Sequence, residues 1–458
     1  MIAPGFDGER ETRNAEAAQG VFVGHRYWRT RSTLGLLGYE GHSGSLFYQQ
    51  RQRDTQLDVN TMTQLYQGSS YGANWVYRPY QNSWRGELEF NHSEKTFALA
   101  DSANVTTELA SLNAGFSPLA GALTTDLNYQ LSRTVTRSNA LIAYTVPAGQ
   151  GDYIRINDEY VYDPEIGDII LRPEPTGDAL PTSDLAAAFN IDWSPHRLPG
   201  GVGRVDGFGW EDISLVTQLE AVEITRWPEP SDIYLLNLSK FQSDSTVEGQ
   251  LSLRQDVYLF RSAREGNVRF TYLANKRLAN LFLTGAERYG RDKLTVLGRA
   301  TLARSFDLES EASYERLTKR LARRNATDRY RLLRLNNQLG WRPNSTWRLT
   351  LDVGGLLDHD ISLAEDVRGL SLTPGVVFAV RDRGRVSWDF EALWVESKLA
   401  VIPFELANGR PVGRNGRGNL RAEYKIGDHL TGRAVYTVRM DEGRDPIHVA
   451  RMEVSAFF

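Results

Sequence analysis

Apolar and polar residues alternate along most of this chain with a period of two, the spacing that puts neighbouring side chains on opposite faces of a strand. In "WRLTLDVGGLLD" Trp347, Leu349, Leu351, Val353 and Leu357 share one side, and Arg348, Thr350, Asp352 and Gly354 the other. "RVSWDFEALW" sets Val386, Trp388, Phe390, Ala392 and Trp394 against Arg385, Ser387, Asp389 and Glu391. "NLRAEYKI" and "LTGRAVYTVRM" repeat the pattern, with Arg421, Glu423, Lys425, Arg433 and Arg439 on the polar side. The chain ends in the same way. In "HVARMEVSAFF", His448, Ala450, Met452, Val454, Ala456 and Phe458 face one way, and Val449, Arg451, Glu453, Ser455 and Phe457 the other. Segments of about ten residues with one apolar side predict long antiparallel strands, longer than the five or six residues usual in a soluble sandwich.

The connections sort by length. Working back from the C-terminus, "GDH" (427–429), "RDRG" (381–384) and "RPNS" (342–345) are tight. They alternate with the longer 401–418, 358–369 and 318–328. Tight ends carry an aromatic-x-Pro signature at Tyr77–Pro79, Phe116–Pro118, Trp193–Pro195 and Trp341–Pro343. Proline ends ladder pairing, and aromatics suit a lipid–water boundary. Short turns at one end and long loops at the other are how a transmembrane barrel is built. The expected fold is all-β: a closed antiparallel up-and-down barrel of about 20 strands, within roughly 18 to 22. It would occupy 18–458 after an N-terminal segment 1–17, with long external insertions at 136–183 and 225–248.

Composition narrows the function. The formal net charge of -4 gives no general affinity for nucleic acid. The absence of cysteine excludes disulfides, thiolate metal sites and cysteine nucleophiles. A mean hydropathy of -0.42 is compatible with a barrel, because half of each strand faces a wet lumen. No HExxH, P-loop, Gly-x-Ser-x-Gly or strand-to-helix Gly-x-Gly-x-x-Gly motif is present, so the reading is not enzymatic.

The final alternating strand resembles the C-terminal signal of bacterial outer-membrane β-barrels. The resemblance implies that Met452, Val454, Ala456 and Phe458 are presented to the barrel-insertion machinery, with Ala456 where an aromatic is often found. The chain also looks like the barrel portion of large, poorly characterised surface proteins of diderm bacteria. An outer-membrane protein must cross the inner membrane, and "MIAPGFDGERETRNAEAAQG" has acidic residues where an export signal has its apolar core. The expectation is therefore a chain whose signal was removed, or the C-terminal barrel of a longer precursor.

Three function classes are compatible with this reading. The first is a pore or translocating barrel, part of a larger transport or secretion assembly; the second is a structural or display barrel whose loops bind a partner; the third is a membrane enzyme. Expected partners are outer-membrane lipid, the insertion machinery, and other envelope chains or a plug. The lumen-facing charges would be Arg385, Arg421, Lys425, Arg433, Arg439 and Arg451 with Glu423 and Glu453. Crowded oxygens in 147–184, among them Asp152, Asp158, Asp163 and Asp168, could hold Ca²⁺, although the spacing is not that of an EF-hand and a solvated acidic loop is the simpler reading. No other cofactor is expected. "DHD" (358–360) reads as a surface loop, since adjacent residues point apart. The apolar run Ile233 to Leu238 fits a short helix or a strand tip.

Overall fold

The computed structural model describes residues 2–13, 16–17, 21–22, 25–58, 61–79, 83–98, 105–156, 159–162, 166–198, 209, 212–226, 241–243, 245–261, 263, 265–280, 286–320, 327–380, 383–399, 401–427 and 429–456. Strand β1 (Ile2–Arg13) is followed by the two-residue strands β2 (Glu16–Ala17) and β3 (Val21–Phe22). Then come β4 (His25–Tyr39), β5 (His42–Asp58), β6 (Thr61–Tyr77), β7 (Trp84–Phe97), β8 (Val105–Phe116) and β9 (Leu123–Thr145). A short hairpin, β10 (Tyr153–Ile156) and β11 (Glu159–Tyr162), precedes β12 (Ile169–Trp193). The chain continues through β13 (Ile213–Thr225), β14 (Thr246–Leu259), β15 (Gly266–Ala279), β16 (Glu287–Ala303), β17 (Phe306–Arg320) and β18 (Thr327–Trp341). It ends with β19 (Trp347–Asp360), β20 (Glu365–Val380), β21 (Gly384–Ser397), β22 (Gly413–Lys425), β23 (Leu430–Asp441) and β24 (Ile447–Ala456).

Twenty-two of these strands share one sheet. All but the β10–β11 hairpin form an antiparallel up-and-down meander of about 20 strands, as the alternation predicts. Its order follows the chain: β1 pairs with β4, each strand from β4 to β9 with the next, β9 with β12, and so on to β24. No helix of the described residues is long and apolar enough to cross a membrane.

All four aromatic-x-Pro motifs begin on the last residue of a strand: Tyr77 of β6, Phe116 of β8, Trp193 of β12 and Trp341 of β18. The aromatics pair across the ladder near these ends. Trp84 lies 4.1 Å from Phe116, Trp347 4.6 Å from Phe378 and Phe306 5.9 Å from Trp341, ring centre to ring centre. At the same end, Glu40 and Gly41 both take positive φ in the two-residue β4–β5 turn, the geometry that matches strand twist. A Cβ on Gly41 would lie 2.8 Å from Pro79 Cα, so glycine answers both the dihedral and the close approach.

The strands run further than the alternation suggests. Segment 1–17, set apart by the sequence, contains β1, registered from Ile2↔Leu36 to Arg13↔His25. Within 136–183, β9 and β12 stay paired up to Thr145↔Ile169, interrupted by one register shift between Thr176 and Ala179. The link expected at 358–369 narrows to 361–364, and 358–360, taken for a surface loop, ends strand β19. Loop sorting also has an exception: the link after Trp193 spans 194–212 on the otherwise tight side. The apolar run 233–238 lies outside the described residues.

Candidate functional site: the polar face and a loop folded onto it

Register keeps the two faces of the sheet distinct across the chain. One unbroken cross-strand row reads Leu34, Leu46, Ala73, Phe90, Ala110, Leu131 and Leu185. On β19 the same face carries Trp347, Leu351, Val353 and Leu357, each 40% or more exposed. Exposed large hydrophobics continue on this face at Leu294, Leu333, Leu335, Leu370, Trp388, Trp394, Leu420, Met452 and Val454. So many apolar side chains facing outward on one surface far exceed what a soluble protein leaves uncovered.

The opposite face is polar and charged. Arg385, Glu423, Arg433 and Glu453 stand directly opposite one another across β21–β24, an alternating ladder of charge. Arg433 meets Glu423 at 3.2 Å. Arg421 and Arg451 lie on either side of Val435, and Lys425 opposes Thr431. Arg439 is nearly buried and is held at 2.9 Å by Asp441. All eight charges named from the alternation therefore share one face. Elsewhere on it, Arg85 pairs with Asp126, Arg299 meets Glu309 at 2.7 Å and Arg291 meets Glu315 at 2.8 Å. Such cross-strand ion pairs contribute a few tenths of a kcal/mol to about 1 kcal/mol each and keep the register fixed.

At the long-loop end of β17–β21 this polar face turns apolar. Leu317, Tyr330, Leu332, Leu356, Val367, Leu393 and Val395 form one buried cluster, and the β21–β22 link folds down to cover it. Leu406 and Ala407 of that link are fully buried there, with Leu399 and Ile402 packed alongside. Polar contacts fasten the same segment. The Ala407 N–H donates to Asp358 Oδ2 at 2.9 Å, and Arg334 donates to Asn408 Oδ1 at 2.6 Å. Lys319 meets Glu405 at 2.8 Å, and Arg410 meets Glu391 at 3.4 Å. Asp358 is 1% exposed, and Arg334 lies 3.4 Å from it, so its charge is neither free nor unbalanced.

The loop's tip is backbone-strained. Ala407, Asn408 and Gly409 all have positive φ, at 49°, 56° and 71°. A left-handed conformation costs roughly 1–2 kcal/mol for a residue with a Cβ. It persists because the contacts on both sides over-determine it. At Gly409 a Cβ would lie 2.6 Å from the Phe404 ring, so the turn closes only with glycine there.

Sequence reasoning noted 401–418 as a long link and missed that it folds onto the sheet. The signal was present. Adjacent apolar residues break the alternation at Leu332–Leu333, Leu356–Leu357 and Leu393–Trp394–Val395, which places apolar side chains on both faces at one level.

Among the C-terminal residues, Met452, Val454 and Ala456 share the apolar face and Phe458 lies outside the described residues. Of the four aspartates considered for Ca²⁺, Asp158 and Asp163 lie outside the described residues. Asp152 and Asp168 flank the β10–β12 junction, where the Asp152 N–H donates to Ile169 O and the Asp168 N–H to Tyr153 O, both at 3.0 Å. Among the described residues no group of three or more His, Asp or Glu side chains could hold a metal ion.

No protein-family model and no curated protein matches this sequence. Solved structures are similar in outline. The ferric enterobactin receptor PfeA from Pseudomonas aeruginosa (a Q482A mutant with enterobactin) is 10% identical, TM-score 0.39, over 98% of this chain and 73% of that one. The siderophore receptor PirA from Pseudomonas aeruginosa is 9% identical, TM-score 0.39, over 100% and 73%. The copper transporter OprC is 9% identical, TM-score 0.42, over 100% and 76%. At this distance the likeness carries nothing about what the chain binds.

Proposed function

We propose that this chain is an integral outer-membrane β-barrel that passes polar solutes, with β1 and β24 meeting at the seam. The segregation of faces carries the reading. In a bilayer every backbone N–H and C=O must be paired within the protein, so strands span it only as a closed cylinder. A sheet of about 20 strands with one exposed apolar face and one charged face meets that demand when the apolar face is turned to lipid. The aromatic pairs at the tight-turn end then mark the periplasmic boundary, and the long links face outward. A cylinder of this size is wide enough to need water or a plug inside. The 398–412 loop, folded onto what becomes the lumen wall, narrows it and makes the protein a restricted pore, part of a larger transport or secretion assembly.

The test is reconstitution. Purified chain that migrates as a heat-modifiable band and conducts in planar bilayers would support the reading; failure to insert, or insertion without conductance, would defeat the pore. A second reading, display of a binding surface, has one observation in its favour. The β9–β12 pair and its β10–β11 hairpin project well past the Ser183↔Thr225 level where β13 stops.

A further inference from the structure

The apolar face ends upward, on β16–β18, in a surface of arginines. Arg288 on β16, Arg316 and Arg320 on β17, and Arg329 and Arg331 on β18 all lie on the lipid-side face and are exposed. Their level follows from register. Leu294, Tyr314, Leu333 and Leu357 stand in one cross-strand row at the top of the apolar band. Arg316 and Arg331 come two residues beyond it, and Arg320 and Arg288 six residues beyond it. At about 3.3 Å per residue that places the guanidinium groups from ~7 to ~20 Å above the last leucines, where lipid headgroups begin.

What singles this surface out is its pairing. Arg288 stands directly opposite Arg320, and Arg316 directly opposite Arg331. Like charges directly opposite on a ladder destabilise it. Other opposed arginines stand on the polar face, Arg29 with Arg51 and Arg417 with Arg439, where Arg29 meets Asp7 at 3.1 Å and Arg439 meets Asp441 at 2.9 Å. Arg316 has local relief, since Asp292 stands directly opposite it on β16. Arg316 donates from Nε to the Tyr314 hydroxyl at 3.0 Å, while Asp292 accepts from Tyr272. Asp366 is engaged by His359 at 2.7 Å and Arg368 at 3.7 Å. Among the described residues, Arg288, Arg320, Arg329 and Arg331 make no ion pair. An anion seated between the opposed arginines would relieve their repulsion.

The geometry points to a binding surface for phosphate-bearing lipid headgroups of the outer leaflet, seated on Arg288, Arg316, Arg320, Arg329 and Arg331. Guanidinium forks engage phosphate oxygens in pairs, and an anion shared between opposed arginines turns a repulsion into a bridge. The surface is continuous with the lipid-facing wall, so an acyl chain lying on Leu294, Leu333 and Leu357 holds its headgroup at the height of the arginines. This inference rests on the membrane-spanning reading above.

The experiment uses the full chain reconstituted in nanodiscs of phosphatidylcholine with 10 mole per cent of either phosphatidic acid or added neutral lipid, followed by native mass spectrometry of retained lipid. Heat-modifiability, read first, reports whether the barrel inserts at all; a chain that does not insert defeats the membrane reading and, with it, this one. With the wild-type barrel inserted, phosphatidic acid should be retained in preference to phosphatidylcholine. In the variant Arg288→Gln, Arg316→Gln, Arg320→Gln, Arg331→Gln, that preference should fall about fivefold per arginine removed, with insertion unchanged. Arg433→Gln, a polar-face change, controls for loss of an arginine away from this surface and should leave the preference intact. Equal retention by wild type and quadruple variant, or loss of retention in the Arg433 control as well, would overturn the proposal. So would full displacement by inorganic phosphate, which would make the surface a site for free phosphate rather than lipid.

Discussion

Cutting the fastenings of the 398–412 loop should open the pore. Leu406 is fully buried in the apolar cluster, and replacing it with alanine removes contacts worth about 2–5 kcal/mol in an ordinary core. Asp358→Ala strands the buried Ala407 N–H without an acceptor, at about 1–3 kcal/mol, and releases one partner of Arg334. The two sites touch the same segment, so their effects will not add strictly. Even the lower bounds together reach ~3 kcal/mol, and each ~1.4 kcal/mol is tenfold in an equilibrium. The ratio of docked to undocked loop should fall more than a hundredfold. Strain pushes the same way, since Ala407 and Asn408 leave a left-handed conformation on release. The wall itself should hold, because its strands stay paired on both sides. In planar bilayers the double variant Leu406→Ala, Asp358→Ala should show larger unitary conductance than wild type, and brief protease treatment should nick 398–412 in the variant alone. Equal conductance together with equal protease resistance would refute a docked loop that narrows the lumen.

Other outcomes follow from named positions. Val454→Asp places a charge on the lipid face, at less than the about 2–4 kcal/mol of a mid-bilayer Arg or Lys and less again at the rim, and should reduce heat-modifiable barrel in the outer membrane without reducing synthesis. Deleting Phe458 should do the same; full assembly after deletion would count against the insertion-signal reading. Gly41→Val should lower the unfolding temperature of the purified barrel, since a β-branched residue meets both a positive φ and the Pro79 backbone. Arg433→Glu turns the alternating ladder into three consecutive acids from β22 to β24, so the reversal potential under a salt gradient should move toward cations; no movement would leave the ladder as a stiffener of the wall.

Much of the wall was legible because one residue in two had to satisfy lipid. Trp347, Leu349, Leu351 and Val353 announce their strand without help from any neighbour, and the four aromatic-x-Pro motifs fall on strand ends in the structure. Strand limits were less legible. The outer halves of β9 and β12 carry no one-sided apolar pattern in the sequence, and β1 shows one only at Ile2, Pro4 and Phe6. Their pairing is a property of backbone hydrogen bonds, which composition does not encode.

The loop was hidden for a different reason, and the reason says where to look in other barrels. A lumen-side apolar patch is an error in the alternation unless something covers it. Read strand by strand, Leu332, Leu356 and Leu393 are three isolated lapses beside lipid-facing Leu333, Leu357 and Trp394. Register brings the lapses to neighbouring positions on adjoining strands: Leu332 stands opposite Asp358, two residues from Leu356, and Leu393 lies opposite Ser371, two residues from Gly369, the partner of Leu356. Only after pairing do they form one patch, and the loop with its own apolar run, Ile402, Phe404 and Leu406, is the segment close enough to cover it. The covering segment is thus specified twice, once in the wall and once in the link, by residues as near in sequence as Leu393 and as far as Leu332 that form one patch only through the sheet.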